Sequence, residues 1–149
     1  MSVEQSLVKL FNNNFCAYFR AHVAHVNTQG RFFISDHKIL GKIYEDLQGQ
    51  IDVIAEILRT LREFMPSDLH EVHKESIISE SQPDNTDVGY LEEVYNDIEM
   101  LIEVYLALQA EIGDNIEYSH IGNYAQDRVT TLQKFCWMLR ATLDDRSTY

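Results

Sequence analysis

The residues that interrupt helices are scarce in this chain, with two prolines and six glycines among 149 residues. Proline removes an amide donor and glycine carries a backbone-entropy cost, so their shortage predicts an all-α fold of long helices. Cysteine is nearly absent. Cys16 and Cys136 lie far apart and match no zinc or redox spacing, which excludes a disulfide framework and a thiolate metal site. Both are expected to be reduced thiols packed in helices of a cytoplasmic protein. No apolar run is long enough to cross a bilayer; M-L-I-E-V-Y-L-A-L, from Met100 to Leu108, is short and broken by Glu103. The opening M-S-V-E-Q-S shows no basic segment followed by an apolar run, so no secretory leader is expected. Positive charge is also in deficit: 12 Lys and Arg stand against 24 Asp and Glu, a formal charge of −12. Such a surface repels a phosphate backbone and attracts cations, metal ions included.

What the chain does have is helical periodicity. Leu7, Phe11, Phe15, Phe19 and Val23 recur at three-to-four spacing and predict an amphipathic helix from about Val3 to Gln29, stopped by Gly30. A second helix is expected to start near Ser35 or Asp36, either of which can cap it, and to carry Ile39, Leu40, Leu47, Ile54 and Leu58 to about Phe64. Pro66 ends it or opens the next connection. D-L-H-E-V-H-K-E-S-I-I fits one short helix, and S-E-S-Q-P-D-N-T-D reads as a polar linker rich in turn residues. A third long helix is predicted over about Val88 to Ile112 and a fourth over about Glu117 to Leu143. Residues 1–149 then form one domain, a four-helix bundle with a short extra helix between helices 2 and 3. The connection is long enough to run the length of the bundle, a crossover found in ferritin-like folds.

The candidate metal ligands in the first half are His22, His25, His37, Asp52 and Glu56. Asp52 and Glu56 are four apart and share a helix face. His37 precedes Asp52 by fifteen residues on the same helix, about 22 Å along its axis, so no single ion reaches both. The chain therefore carries two half-sites. Two chains paired antiparallel about a twofold axis would bring His25 and His37 of one against Asp52 and Glu56 of the other. Nitrogen and carboxylate donors with open positions suit ferrous iron. A site inside one bundle would need two Glu-x-x-His motifs. Only one, Glu117 to His120, is present, and His120 is expected at the surface.

H-V-N-T-Q-G-R-F-F-I-S-D-H, from His25 to His37, resembles the signature of the Dps-type mini-ferritins, the DNA-binding proteins from starved cells. His25, Asn27, Gly30, His37, Asp52 and Glu56 match its pattern. The P-S-D-L segment and the terminal K-F-C-W-M-L-R-A match further along. The resemblance implies a hollow shell of twelve subunits with a di-iron ferroxidase centre at each twofold interface. It implies that ferrous iron is oxidised, by hydrogen peroxide more readily than by oxygen, and that the ferric product is stored inside, which limits oxidative damage. His25 and His37 are the implied nitrogen ligands of one subunit. Asp52 and Glu56 are the implied carboxylates of the partner, with Glu56 holding the more tightly bound iron.

Two positions depart from that pattern. Gly41 stands where many members carry an acidic residue near the second iron, and Val26 where many carry tryptophan. These departures put the second iron position in question and support an alternative, a cage with weak or lost ferroxidase activity acting as a structural or DNA-associated protein. Some members bind DNA through lysine-rich tails, which neither end of this sequence offers. Twelve copies would carry a formal charge on the order of −140, so DNA binding is not expected. Glu45, Asp46, Asp114 and Glu117 are candidates for a pore or inner wall, with plain solubility as the other reading of each.

Overall fold

The computed structural model describes residues 1–78, 88–144 and 146. Helix α1 spans Val3–Asn27. Ser2 starts it with a capping box: its hydroxyl accepts from the Gln5 amide at 3.0 Å while the Gln5 side chain accepts from the Ser2 amide at 2.8 Å. Gly30 follows the helix with φ 116, a left-handed conformation that glycine tolerates without strain. Helix α2 then covers Phe33–Thr60. It begins earlier than either expected cap, and neither Ser35 nor Asp36 caps it. Backbone bonds from Phe33 N–H to Gly30 O (3.1 Å) and from Asp36 N–H to Phe32 O (2.9 Å) open the helix instead. This leaves the Asp36 carboxylate free to turn inward.

Helix α2 also ends before Phe64. Arg62 takes φ 67, and the Glu63 amide reaches back to Leu58 O at 3.0 Å. That backbone closure is usually built on glycine, so it carried no signal in the sequence. Helix α3, Leu69–Lys74, is capped by Asp68, which accepts from the His70 amide at 3.0 Å. The expected linker, residues 79–87, lies outside the described residues. Helix α4 spans Gly89–Ile112 and stops at Gly113, φ 54. A 3-10 turn at Ile116–Tyr118 leads into α5, Ser119–Leu143. No strand occurs among the described residues, and none of the described helices is long and apolar enough to cross a membrane.

The helix directions follow from side-chain pairs. Arg20 near the end of α1 meets Glu93 and Asp97 near the start of α4. These two helices are therefore antiparallel. Asp46 and Gln50 of α2 meet Arg128 and Tyr124 of α5 in reverse order, so that pair is antiparallel too. Since α1 and α2 form a hairpin, α2 and α4 run parallel, and the connection through α3 must travel the bundle's length. The long crossover expected from the sequence is thus present.

Leu7, Leu10, Leu40, Ile43, Leu47, Ile54, Leu58, Leu91, Ile98, Leu101, Leu132 and Leu139 fill the interior. Phe19 departs from the expected stripe, being 57% exposed. It lies beside α3, with Phe15, Leu69 and Val72 around the same surface cleft, and so flanks the bundle instead of filling it.

Candidate metal centre

The α1–α2 hairpin brings His25 and His37 together. Their rings stack with centroids 3.8 Å apart, 17° from parallel. Each Nδ1 lies 2.7 Å from the other residue's backbone carbonyl oxygen. A carbonyl only accepts, so each Nδ1 must carry the proton and donate. Both imidazoles are thereby fixed as Nδ1–H tautomers, with the Nε2 lone pairs left to bind a ligand. Phe33 stacks on His37 at 5.0 Å, and Tyr44 lies 4.9 Å from His25. Next to His37 in the chain, the Asp36 carboxylate is 1% exposed and takes two 2.7 Å hydrogen bonds from Arg146. Arg146 also lies over the Phe32 ring at 4.2 Å. The start of α2 is anchored on several sides.

Asp52 and Glu56 stand one turn apart on α2, both exposed. Helical rise places Asp52 about 22 Å along the axis from His37. Within one chain the structure therefore joins His25 to His37 and sets Asp52 beside Glu56, but it does not join the two pairs. Among the described residues no group of three or more His, Cys, Asp or Glu side chains is arranged to hold a metal ion. The nitrogen pair fits a divalent transition ion, and two exposed carboxylates supply the hard oxygen donors that iron also accepts.

The other candidates fall elsewhere. His22 stacks on Tyr44 (4.1 Å, 2° between planes), with its Nδ1 3.1 Å from the Tyr18 hydroxyl. The column Tyr18, His22, Tyr44, His25, His37 was missed in the sequence. Only part of its signal is local: Tyr18 and His22 are four apart and His37 and Tyr44 seven apart, so each pair shares a helix face, but that these two faces meet is not marked in the sequence. His120 is exposed, as expected. Glu45, Asp114 and Glu117 are exposed as well. Asp46 is committed to the bundle, receiving bonds of 3.2 and 2.6 Å from Arg128. Val26 is exposed and places no aromatic ring beside His25.

Two buried groups carry shifted acidities. Burial raises Asp97 to about 6, against the opposing pull of Arg20. Burial likewise raises the Cys136 thiol to about 11, which keeps it protonated and inert. Neither Cys16 nor Cys136 forms a disulfide, as expected of reduced helix-packed thiols.

The model of the ferritin-like domain matches residues 4–148. The chain belongs to the ferritin-like family, as a mini-ferritin of the Dps type. The DNA protection during starvation protein 2 of Bacillus anthracis is 28% identical over 127 residues, 85% of this chain and 86% of that protein. The Helicobacter cinaedi CAIP structure superposes with a TM-score of 0.86 at 27% identity, over 95% of this mini-ferritin and 99% of that chain. The Dps protein of Vibrio cholerae, described as a ferritin-like diiron-carboxylate protein, gives 0.88 at 23% identity over 95% and 88%. Membership of the ferritin-like family associates this mini-ferritin with iron storage.

Proposed function

We propose that the protein oxidises ferrous iron at centres shared between two subunits and stores the ferric product in a closed shell of twelve copies, each chain acting as one ferritin-like domain. Hydrogen peroxide is the preferred oxidant: two ferrous ions give it one electron each, and with two protons it becomes two waters. Removing iron and peroxide together suppresses radical damage. The observation that carries this reading is the reciprocal bond pair, which leaves the Nε2 atoms of His25 and His37 as free donors far along α2 from Asp52 and Glu56. His25 and His37 bind the ion from one subunit. Asp52 and Glu56 bind it from the partner, and their negative charge favours the ferric product. Val26 beside His25, Ile34 on the first turn of α2 and Val53 beside Asp52 are exposed apolar side chains, which supports burial of these positions against a second copy. The reading places the protein in the cytoplasm. It acts without DNA binding, because a formal charge of −12 per chain repels the phosphate backbone. Protection of DNA, named for the Bacillus relative, would then come from the chemistry of iron and peroxide.

The test adds Fe(II) anaerobically, then hydrogen peroxide, and follows ferric absorbance and co-elution of iron with protein. His37→Ala and Glu56→Ala chains are each expected to be inactive. Reassembled together at equal amounts they should regain about a quarter of wild-type activity, because half the dimers are mixed and one of their two sites is intact. No recovery in a correctly sized mixed shell would rule out the shared site.

A further inference from the structure

The geometry points to Gly41 as the residue that sets the pose of His25, an assignment that rests on the iron-oxidising reading of this site. Gly41 is buried on α2, one turn after His37. A β-carbon built on it would sit 2.9 Å from His25 Cε1 and 3.0 Å from Nδ1, closer than side chains tolerate. The atoms it meets belong to a ring that cannot swing away freely. His25 is held by its Nδ1–H bond to His37 O at 2.7 Å and by stacking on His37 at 3.8 Å, with Tyr44 near its other flank at 4.9 Å. The bare backbone at position 41 is thus the floor on which the imidazole lies. With α1 and α2 packed this closely in this chain, a side chain added at position 41 pushes the ring off its carbonyl partner, frees its tautomer, and turns its Nε2 away from that of His37.

The same floor supplies no donor. Asp36, the acid next to His37, is taken up by Arg146. Among the described residues no carboxylate joins the two nitrogens of the histidine half, so on this reading the carboxylates of the centre come from the partner's half. Two ions would then draw on one set of four side chains, one held tightly and one weakly.

The test uses the apo shell and a metal that does not turn over. Magic-angle-spinning NMR of 15N-histidine protein reads the tautomer, and anaerobic Co(II) titration reads affinity. Wild type should show His25 and His37 as Nδ1–H tautomers. Gly41→Ala should lose that signature at His25 and bind Co(II) at least about tenfold more weakly. Gly49→Ala, on the same helix with nothing within 4 Å of its added carbon, is the control and should match wild type. If Gly41→Ala does not assemble, the double variant with His25→Ala decides. Assembly restored to the level of His25→Ala upholds the steric coupling, and a double variant as disrupted as Gly41→Ala overturns it. Wild-type nitrogen shifts and affinity in Gly41→Ala would also overturn it. Should wild type bind no Co(II), the iron reading falls, while the nitrogen shifts alone still decide the role of Gly41.

Discussion

The two ends of α2 carry the two halves of the proposed centre and are built in opposite ways. At its start, His37 is held by a backbone carbonyl, two stacked rings and a neighbouring buried ion pair. Toward its end, Asp52 and Glu56 project from an exposed face. Histidine has two chemically different nitrogens, so a ligand histidine must have its tautomer chosen for it, and that takes fixed partners. A carboxylate presents equivalent oxygens and needs little more than a helix turn to place it. The difference teaches where substitution should be felt: structure at the histidine end, chemistry alone at the carboxylate end.

The largest effect is expected from removing a donor. His37→Ala should slow peroxide-driven iron oxidation by about a hundredfold or more while the shell stays intact on a sizing column. Glu56→Gln should slow it too with no change in melting temperature, and a large loss of stability there would erase the contrast between the ends. Next comes the anchor. Arg146→Ala leaves Asp36 buried without its guanidinium partner, a change expected to cost about 3 kcal/mol in denaturant unfolding and to loosen the first turn of α2, which leads into His37. A loss under half that would mean water reaches Asp36 easily.

Asp97, paired with Arg20 near the histidine end, gives a smaller, pH-dependent effect. Its folded value of about 6 lies above the ordinary carboxylate value of 3.8. The folded state therefore binds the extra proton, and this group's contribution to stability is greatest below about pH 4 and is lost as pH rises through 6. Wild type should lose up to about 1.4 kcal/mol per pH unit across that window relative to Asp97→Asn. Parallel stability curves for the two proteins would remove the assignment. The smallest effect is Gly49→Ala, between the two ends on an open face, expected to stabilise by up to about 1 kcal/mol without touching iron oxidation.

Much of this architecture was legible beforehand because its signals are local. Helix α4 was expected over Val88 to Ile112 and is observed over Gly89–Ile112, since apolar spacing and Gly113 mark it in sequence. Helix α2 was misplaced at both ends. Its start depends on Asp36 meeting a residue 110 positions away, and its end on Arg62 in a conformation that glycine ordinarily takes. Asp46 looked like a wall or pore acid until Arg128 of α5 appeared beside it.

By itself the sequence determined the helical class, the crossover, and the separation of His37 from Asp52, since a rise of 1.5 Å per residue leaves no other distance along one helix. Only the tertiary structure decided that His25 and His37 lock each other's tautomers, that Tyr44 and His22 extend their stack, and that Gly41 is the floor beneath His25. Those facts depend on two helices meeting at one angle and register, and contacts a few ångströms long between residues a dozen or more apart leave no mark in local periodicity.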